Sequence, residues 1–300
     1  MKIAVVGAGA IGCYFGGLLA GVGHAVTLIG RAPHIDAIRR DGLRLQSADF
    51  DRRVPVATSE TPDGVRDAEI ILCCVKRPDT VAAAKAMAPF LRPDAVVVSL
   101  QNGVDNRDVL CANLPDGVEV IPAAVYAAVA MAGAGHVRHL GGGQVTLGTS
   151  ASSDRVAVLL TETGASVDMS TNIDAVLWTK LIINCAFNAL SAITAAPYGV
   201  LIKSEGIEAV LRDVVDECLA VAAKAGVAVD KDVWARVMHI PVAMPEQLSS
   251  TAQDLQRGRR SEIDHLNGFI VARGADLGVA TPVNRTLWAL VKMLEAREPG

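Results

Sequence analysis

The chain has 300 residues, with 28 Lys+Arg against 32 Asp+Glu and a pI near 5.9, so its charge balance gives no reason to expect nucleic acid or an anionic membrane surface as a partner. The length allows two domains, each large enough to bury a core. Hydrophobic residues make up 51% but aromatics only 4%, and the mean hydropathy is +0.35, which excludes a disordered chain, argues against a coiled coil and raises the question of a membrane or exported protein.

No Asp, Glu, Lys or Arg occurs between Lys2 and Arg31. That span exceeds the ~18 residues of a membrane helix, and Lys2 ahead of it mimics a signal peptide. The seven glycines from Gly7 to Gly23 oppose both readings, since each costs a helix about 1 kcal/mol relative to alanine. No later uncharged run matches its length. Within it, Lys2–Val6 reads as a strand, Gly7-Ala8-Gly9-Ala10-Ile11-Gly12 as a glycine turn, the residues to about Val22 as a helix, and Ala25–Ile29 as a second strand. In this βαβ setting G-x-G-x-x-G predicts a dinucleotide site. Gly7 permits the turn, Gly9 lets the backbone approach a pyrophosphate, and Gly12 lets the helix pack closely, while the amides around Ala10 and Ile11 hold the anion. The plainer alternative is a glycine-rich helix packed close for structural reasons alone.

The end of the second strand faces the adenosine ribose, where NAD-binding chains carry an acidic residue about 20 positions on. Here Arg31 stands nineteen positions after Gly12, with no carboxylate before it. An arginine fork suits a 2′-phosphate, which favours NADPH; an exposed arginine closing a strand is the alternative.

Further runs follow at α/β spacing: Glu69–Val75, a helix over Thr80–Leu91, Ala95–Leu100 and Val118–Ile121. They do not alternate, as expected of strands buried on both faces of a parallel sheet. Lys76 and Asn102 end two of these strands, on the side where such sheets bind ligands. After Pro122 the texture predicts two or three antiparallel strands with glycine turns, the triple glycine Gly141–Gly143 among them. From Asn172 onward the chain reads as helical. The expected class is α/β: an N-terminal Rossmann-type parallel-sheet domain over 1–170 that binds NADP, followed by an all-α C-terminal domain over 171–300. The six cysteines and six histidines show no ligand spacing, so no metal is expected, and the cysteines read as buried thiols in a reducing, cytoplasmic setting.

Ile173–Ile193 is apolar on nearly every face, yet Lys180, Asn184 and Asn188 at i, i+4 and i+8 line one narrow stripe of it. A buried lysine must meet water, a ligand or a partner group. The stripe is either a polar contact between domains or a catalytic lysine of lowered pKa flanked by two amides that orient a polar substrate. A second cluster runs from Ser250 and Asp254 to Ser261, Glu262 and Asp264. There Ser261 with Asp264 fits a capping box, and Glu262 could simply favour a helix N-terminus.

Taken together these residues resemble the ketopantoate reductase family. The match rests on the glycine turn, Val75-Lys76, Leu100-Gln101-Asn102-Gly103-Val104, Trp178-Thr179-Lys180-Leu181 with Asn184 and Asn188, and Ser249-Ser250 through Asp254 to Ser261-Glu262-Ile263-Asp264-His265-Leu266-Asn267-Gly268. The resemblance implies NADPH-dependent reduction of 2-dehydropantoate to (R)-pantoate in pantothenate biosynthesis. It implies Lys180 as general acid, Lys76 and Asn102 on the nicotinamide ribose side, Asn184, Asn188 and Ser250 on substrate oxygens, and Glu262 on the substrate's terminal hydroxyl. One position departs: Gln247 stands where some members have an asparagine against substrate, a change of about one methylene worth ~1–3 kcal/mol among 2-oxo acids. The rivals are a relative acting on another 2-oxo or 2-hydroxy acid, a β-hydroxyacid dehydrogenase, whose asparagines after the lysine are adjacent, and a non-catalytic NADP-binding protein, which would tolerate loss of Lys180 or Glu262. The expected partner is a small 2-oxo acid, with no nucleic acid or membrane; a homodimer is left open.

Overall fold

The computed structural model describes residues 1–296 and falls into two compact units, the first Met1–Ile173 and the second from Asp174 onward. The last four residues of the expected 171–300 domain lie outside the described residues.

The first unit runs β1 (Lys2–Val6), α1 (Ala10–Gly21), β2 (Ala25–Ile29), α2 (Ala32–Asp41), β3 (Leu43–Gln46), β4 (Asp51–Val54), β5 (Ala57–Ser59), β6 (Ile70–Cys73), α3 (Thr80–Met87), β7 (Val96–Ser99), α4 (Asn106–Cys111), β8 (Glu119–Gly133), β9 (His136–Gly148), α5 (Ser153–Thr161) and β10 (Val167–Ser170). Its parallel part is ordered β5-β2-β1-β6-β7-β8. That is the doubly wound order in which the sequence path reverses between β1 and β6, and ligands bind outside the carboxyl ends at such a reversal. The non-alternating strands are buried on both faces. Val5, Leu28, Leu72 and Val98 pack on one side with Phe15 and Leu19, and Ala4, Val6, Ile71 and Val97 on the other with Ala84, Met87 and Leu110.

Beyond this core the strands depart from the sequence reading. β8 does not stop before Pro122 but continues to Gly133. Pro122 is the last residue paired with β7, opposite Ser99, and Ala123 begins the antiparallel pairing with β9 opposite Leu147. A proline, which has no N–H to give, fits the changeover between two partners. The triple glycine is likewise no turn. It lies inside β9 at a register shift, where Tyr126 faces Gln144 and Ala127 faces Gly142, and all three glycines take positive φ (147°, 74° and 133°), a bulge that no side chain of ordinary handedness would favour. β3 and β4 extend the sheet past β9, and β10 pairs with β9.

The second unit is helical: α6 (Ile173–Thr194, which begins at the last residue of the first unit), α7 (Tyr198–Leu201), α8 (Ile207–Lys224), α9 (Val233–Ala243), α10 (Ser250–Gln256), α11 (Asn267–Leu277) and α12 (Pro282–Glu295). Among the described residues α6 is the one helix long and apolar enough to cross a membrane, and 67% of its most apolar window is buried inside the protein. Leu181, Ile182, Cys185, Ala186 and Phe187 are all at most 2% exposed. The α/β class with a helical C-terminal region is thus the fold the chain adopts.

A chain of buried polar groups joins three of these helices to α6. Asn267 Nδ2 donates to the Cys185 carbonyl of α6 (3.0 Å) and to Asn284 Oδ1 (3.0 Å). Asn284 Nδ2 in turn donates to Glu217 Oε2 of α8 (2.8 Å), whose carboxylate also receives the first-turn amides of Val283 and Asn284 (2.8 and 2.9 Å). A carboxylate at the N-terminus of α12 satisfies amides that have no partner within the helix.

Candidate active site

The nucleotide end is built by backbone proximity. Gly7, at φ 107°, donates its N–H to the Ile29 carbonyl (2.9 Å), as does Ala8 (3.0 Å). A Cβ at Gly7 would sit 2.7 Å from the carbonyl carbon of Cys74, and one at Gly12 would collide with the Gly7 carbonyl oxygen and lie 2.9 Å from Val5. Gly16 and Gly17 are similar, each 2.7 Å from a leucine of the adjacent strands, so the close-packing explanation holds for these glycines. It fails for Gly9, where an added Cβ would meet nothing within 4 Å. Gly9 is also the N-cap of α1, which has no side-chain cap and no acidic residue in its first turn. The first helical bond is Cys13 N–H to the Gly9 carbonyl (2.8 Å), so the amides of Ala10, Ile11 and Gly12 lie outside the helical ladder. An open cradle with amides outside the helical ladder and no acid in the first turn fits a pyrophosphate. Arg31 is exposed at the N-terminus of α2, one residue after Gly30, where a Cβ would press on Ala8 at 2.6 Å.

At the carboxyl ends of β6 and β7, Lys76 is exposed and Asn102 half-buried. Residues that the sequence reading passed over set their places. Gln101, 6% exposed, donates to the Val75 carbonyl (3.0 Å) and Thr80 Oγ1 (2.7 Å) and accepts from Ser99 (3.1 Å). Arg77 makes a two-pronged bond to Asp105 (3.0 and 2.6 Å), and Asn106 Nδ2 holds the Asn102 carbonyl (2.6 Å). These tie the two strand ends together and present Lys76 and Asn102 from neighbouring loops. Gln101 sits inside the Leu100–Val104 motif, whereas nothing in the local sequence marks the Arg77–Asp105 pair.

In the second unit Lys180 and Asn184 are half-buried and Asn188 is buried. Burial pulls the Lys180 ammonium down to about 8, against which the Glu262 carboxylate acts to keep it charged. Asn188 Nδ2 donates to Ser250 Oγ (3.4 Å) at the exposed start of α10. Ser249 seats that helix: it accepts from Ala252 N–H (3.0 Å), donates to the Asn188 carbonyl (3.1 Å) and gives its own N–H to Ser191 (3.1 Å). Lys180 is thereby grouped with Glu262, and Asn188 with Ser250. Gln247 turns its amide to the neighbouring Leu248 carbonyl (2.9 Å). The capping-box reading of Ser261 does not hold. Ser261 N–H is taken by Glu295 (2.8 Å) and Asp264 by Trp288 and Lys292 (both 2.7 Å). The helix begins later, at Asn267. Among the described residues no cluster of His, Cys, Asp and Glu suits a metal.

Comparison with known proteins agrees with this geometry. A family model described as ketopantoate reductase PanE/ApbA matches residues 3–152, and one for the C-terminal part of the same family matches residues 172–295. A 2-dehydropantoate 2-reductase of Halobacterium salinarum is 34% identical over 98% of this chain and 99% of its own. A PanE/ApbA family ketopantoate reductase from Ralstonia eutropha JMP134, known by crystal structure, is 52% identical with a TM-score of 0.94 over 98% of each chain. A D-mandelate dehydrogenase solved with NADH and anilino(oxo)acetate is 27% identical with a TM-score of 0.92, again over 98% of each chain.

Two outcomes follow from the packing. Gly12→Ala forces backbone apart and lowers the unfolding midpoint, by about 1–3 kcal/mol or more of stability, whereas Gly9→Ala keeps stability within about 1 kcal/mol and weakens nucleotide binding; thermal melts with and without nucleotide separate the two. Lys180→Met removes a charge that desolvation disfavours and raises the melting midpoint. Because the native ammonium titrates near 8, below its unfolded value, the gain is larger at about pH 7 than at about pH 9.5, where the unfolded lysine also begins to lose its proton; melts at the two pH values check the sign.

Proposed function

The chain belongs to the ketopantoate reductase family, and from that premise we propose that it reduces 2-dehydropantoate to (R)-pantoate with NADPH, a step of pantothenate biosynthesis in the cytoplasm. Family membership makes it a nicotinamide-dependent oxidoreductase; the choice of substrate and of NADPH is the proposal. The observation that carries it is Lys180: a lysine on a buried helix, pulled to about 8 yet kept charged by Glu262, with the Asn188 amide of the same stripe paired to the Ser250 hydroxyl of α10.

The glycine turn, with Gly7, Gly9, Ala10, Ile11 and Gly12, holds the pyrophosphate, Arg31 the 2′-phosphate, and Lys76 and Asn102 the nicotinamide ribose side. The bound cofactor supplies the hydride. Lys180 binds the substrate carbonyl oxygen through its ammonium, stabilises the negative charge that grows there and gives up its proton to it. Asn184, Asn188 and Ser250 orient the remaining substrate oxygens, and Glu262 accepts a hydrogen bond from the terminal hydroxyl while keeping Lys180 protonated. The glycine cradle and Lys180 with Glu262 also fit a second reading, another 2-oxo acid as substrate. It is favoured by the likeness to D-mandelate dehydrogenase and by Gln247, whose amide is spent on Leu248.

Following NADPH absorbance with a panel of 2-oxo acids tests the reading. Ketopantoate is turned over best and Lys180→Ala loses at least ~100-fold; equal rates with 2-oxoisovalerate, which lacks the hydroxyl, remove Glu262 from substrate recognition and favour the second reading. The rate of reduction declines as pH rises through about 8, and Glu262→Gln, which withdraws the charge that favours the ammonium, moves that decline to lower pH. Arg31→Ala raises KM for NADPH far more than for NADH; equal effects on the two would remove Arg31 from the 2′-phosphate.

A further inference from the structure

Glu262 lies in the segment Ser261–Leu266, between α10 and α11, and one face of α12 grips that segment on both sides of it. Glu295, 7% exposed at its side chain, accepts from both the N–H and the hydroxyl of Ser261 on the same oxygen (2.8 and 2.7 Å). Lys292 bridges the other oxygen of Glu295 (2.9 Å) to Asp264 (2.7 Å), and Trp288 Nε1–H donates to the second Asp264 oxygen (2.7 Å). Trp288, Lys292 and Glu295 are four and three residues apart, one helical stripe. Burial would raise both carboxyls, yet the bonds from Lys292, with Ser261 at Glu295 and Trp288 at Asp264, hold both below the usual range, as charge-assisted bonds do.

The first two residues of α11, Asn267 and Gly268, complete the seat. A Cβ at Gly268 would lie 3.0 Å from Trp288 Nε1, so the glycine lets the indole reach Asp264. Asn267 fastens the segment to the Cys185 carbonyl of α6, the helix that carries Lys180. The turn bearing Glu262 is thus fixed to α12 by side chains and to α6 by an amide, with Glu262 between the two anchors.

We propose that the Trp288–Lys292–Glu295 face of α12 is a positioning device, which sets the Glu262 carboxylate against Lys180. None of the three touches substrate in this scheme; each acts through Ser261 or Asp264. The ionisable groups on and against the segment are Arg260, Asp264 and His265 within or beside it and Lys292 and Glu295 on α12, while Glu262 is the charge that acts on Lys180. A turn held loosely lets that carboxylate drift away and weakens the field that keeps the lysine protonated. The proposal rests on the reading of Lys180 as proton donor, and its test does not require turnover.

The test is the pH dependence of Lys180 acylation by acetic anhydride in the intact protein, read by mass spectrometry of the Lys180 peptide. Glu262→Gln sets the full downward displacement of the labelling midpoint. Trp288→Phe, which deletes one N–H and keeps the ring, and Glu295→Ala move the midpoint in the same direction by part of that amount. Glu295→Gln, which keeps an acceptor for Ser261, stays closer to wild type than Glu295→Ala. Where a 2-oxo acid is turned over, kcat falls several-fold in Trp288→Phe with KM for the nucleotide unchanged. A midpoint that does not move in Trp288→Phe, with a melting curve like that of wild type, overturns the positioning role; should Glu295→Ala fail to fold, Trp288→Phe alone decides. Absence of turnover in the wild type with every 2-oxo acid would sink the reductase reading instead, and the labelling result would stand apart from it.

Discussion

On the proposed reading a cation must be kept on a helix whose other faces are apolar and buried, and the bonds around Glu262 answer that demand. The apolar residues that flank Lys180 on α6, among them Leu181, Ile182 and Phe187, are the reason the helix is stable where it is. Burial of the lysine on this helix is also the reason the ammonium is pulled down to about 8. A single carboxylate, Glu262, opposes that pull from a different element. Its effect on the ammonium falls off with separation and with access of water, so the field at Lys180 is only as well defined as the place of Glu262. Hence the density of side-chain bonds around the short segment that bears it, from Ser261 and Asp264 to α12 and from Asn267 to α6.

The nucleotide unit meets an opposite demand, to bring backbone rather than charge to a point. Here glycines do the positioning by having no side chain, and they divide into two kinds. Gly7, Gly12, Gly16 and Gly17 are filled by neighbours, while Gly9 faces open space. Gly12, Gly16 and Gly17 let α1 settle on β1, β2 and β3, and Gly9 leaves an opening at the helix end where amides outside the helical ladder collect. Gln101 and the Arg77–Asp105 pair do comparable work one strand over, by fixing loop backbone so that Lys76 and Asn102 need no long search.

Much of this was legible in the sequence because it depends on local pattern. The glycine turn, the unalternating strands over Ile70–Cys73 and Val96–Ser99 and the polar stripe at Lys180, Asn184 and Asn188 are all periodicities of one element. What escaped depends on partners remote in the chain. Pro122 reads as a breaker until β7 and β9 are both in place to share β8. Gly141–Gly143 reads as a turn until Tyr126 stands opposite the bulge. Ser261 and Asp264 have the spacing of a capping box, and the charged residues that claim them lie some thirty positions on, in α12. The short strands β3, β4, β5 and β10 carry too little apolar pattern of their own and are strands because an edge was there to pair with.

The two anchors differ in how freely they can change, and this bears on substrate choice. Lys180, Asn184 and Asn188 share a helix locked by its buried neighbours, so no one of them can move without the core. α10 is short, is capped by Ser249, and follows a stretch in which Met244, Pro245 and Glu246 are exposed. Pro245 lies against Gly199, whereas substitutions at the exposed Met244 and Glu246 meet water and cost little stability. Gln247 lies in that stretch, with its amide bonded to its own neighbour instead of projecting to a partner. On the proposed reading the acid and the amides of α6 hold what 2-oxo acids have in common, a carbonyl beside a carboxylate. On the same reading the loop before α10, which lies off the α6 stripe and carries no charge that acts on Lys180, is where one 2-oxo acid is told from another.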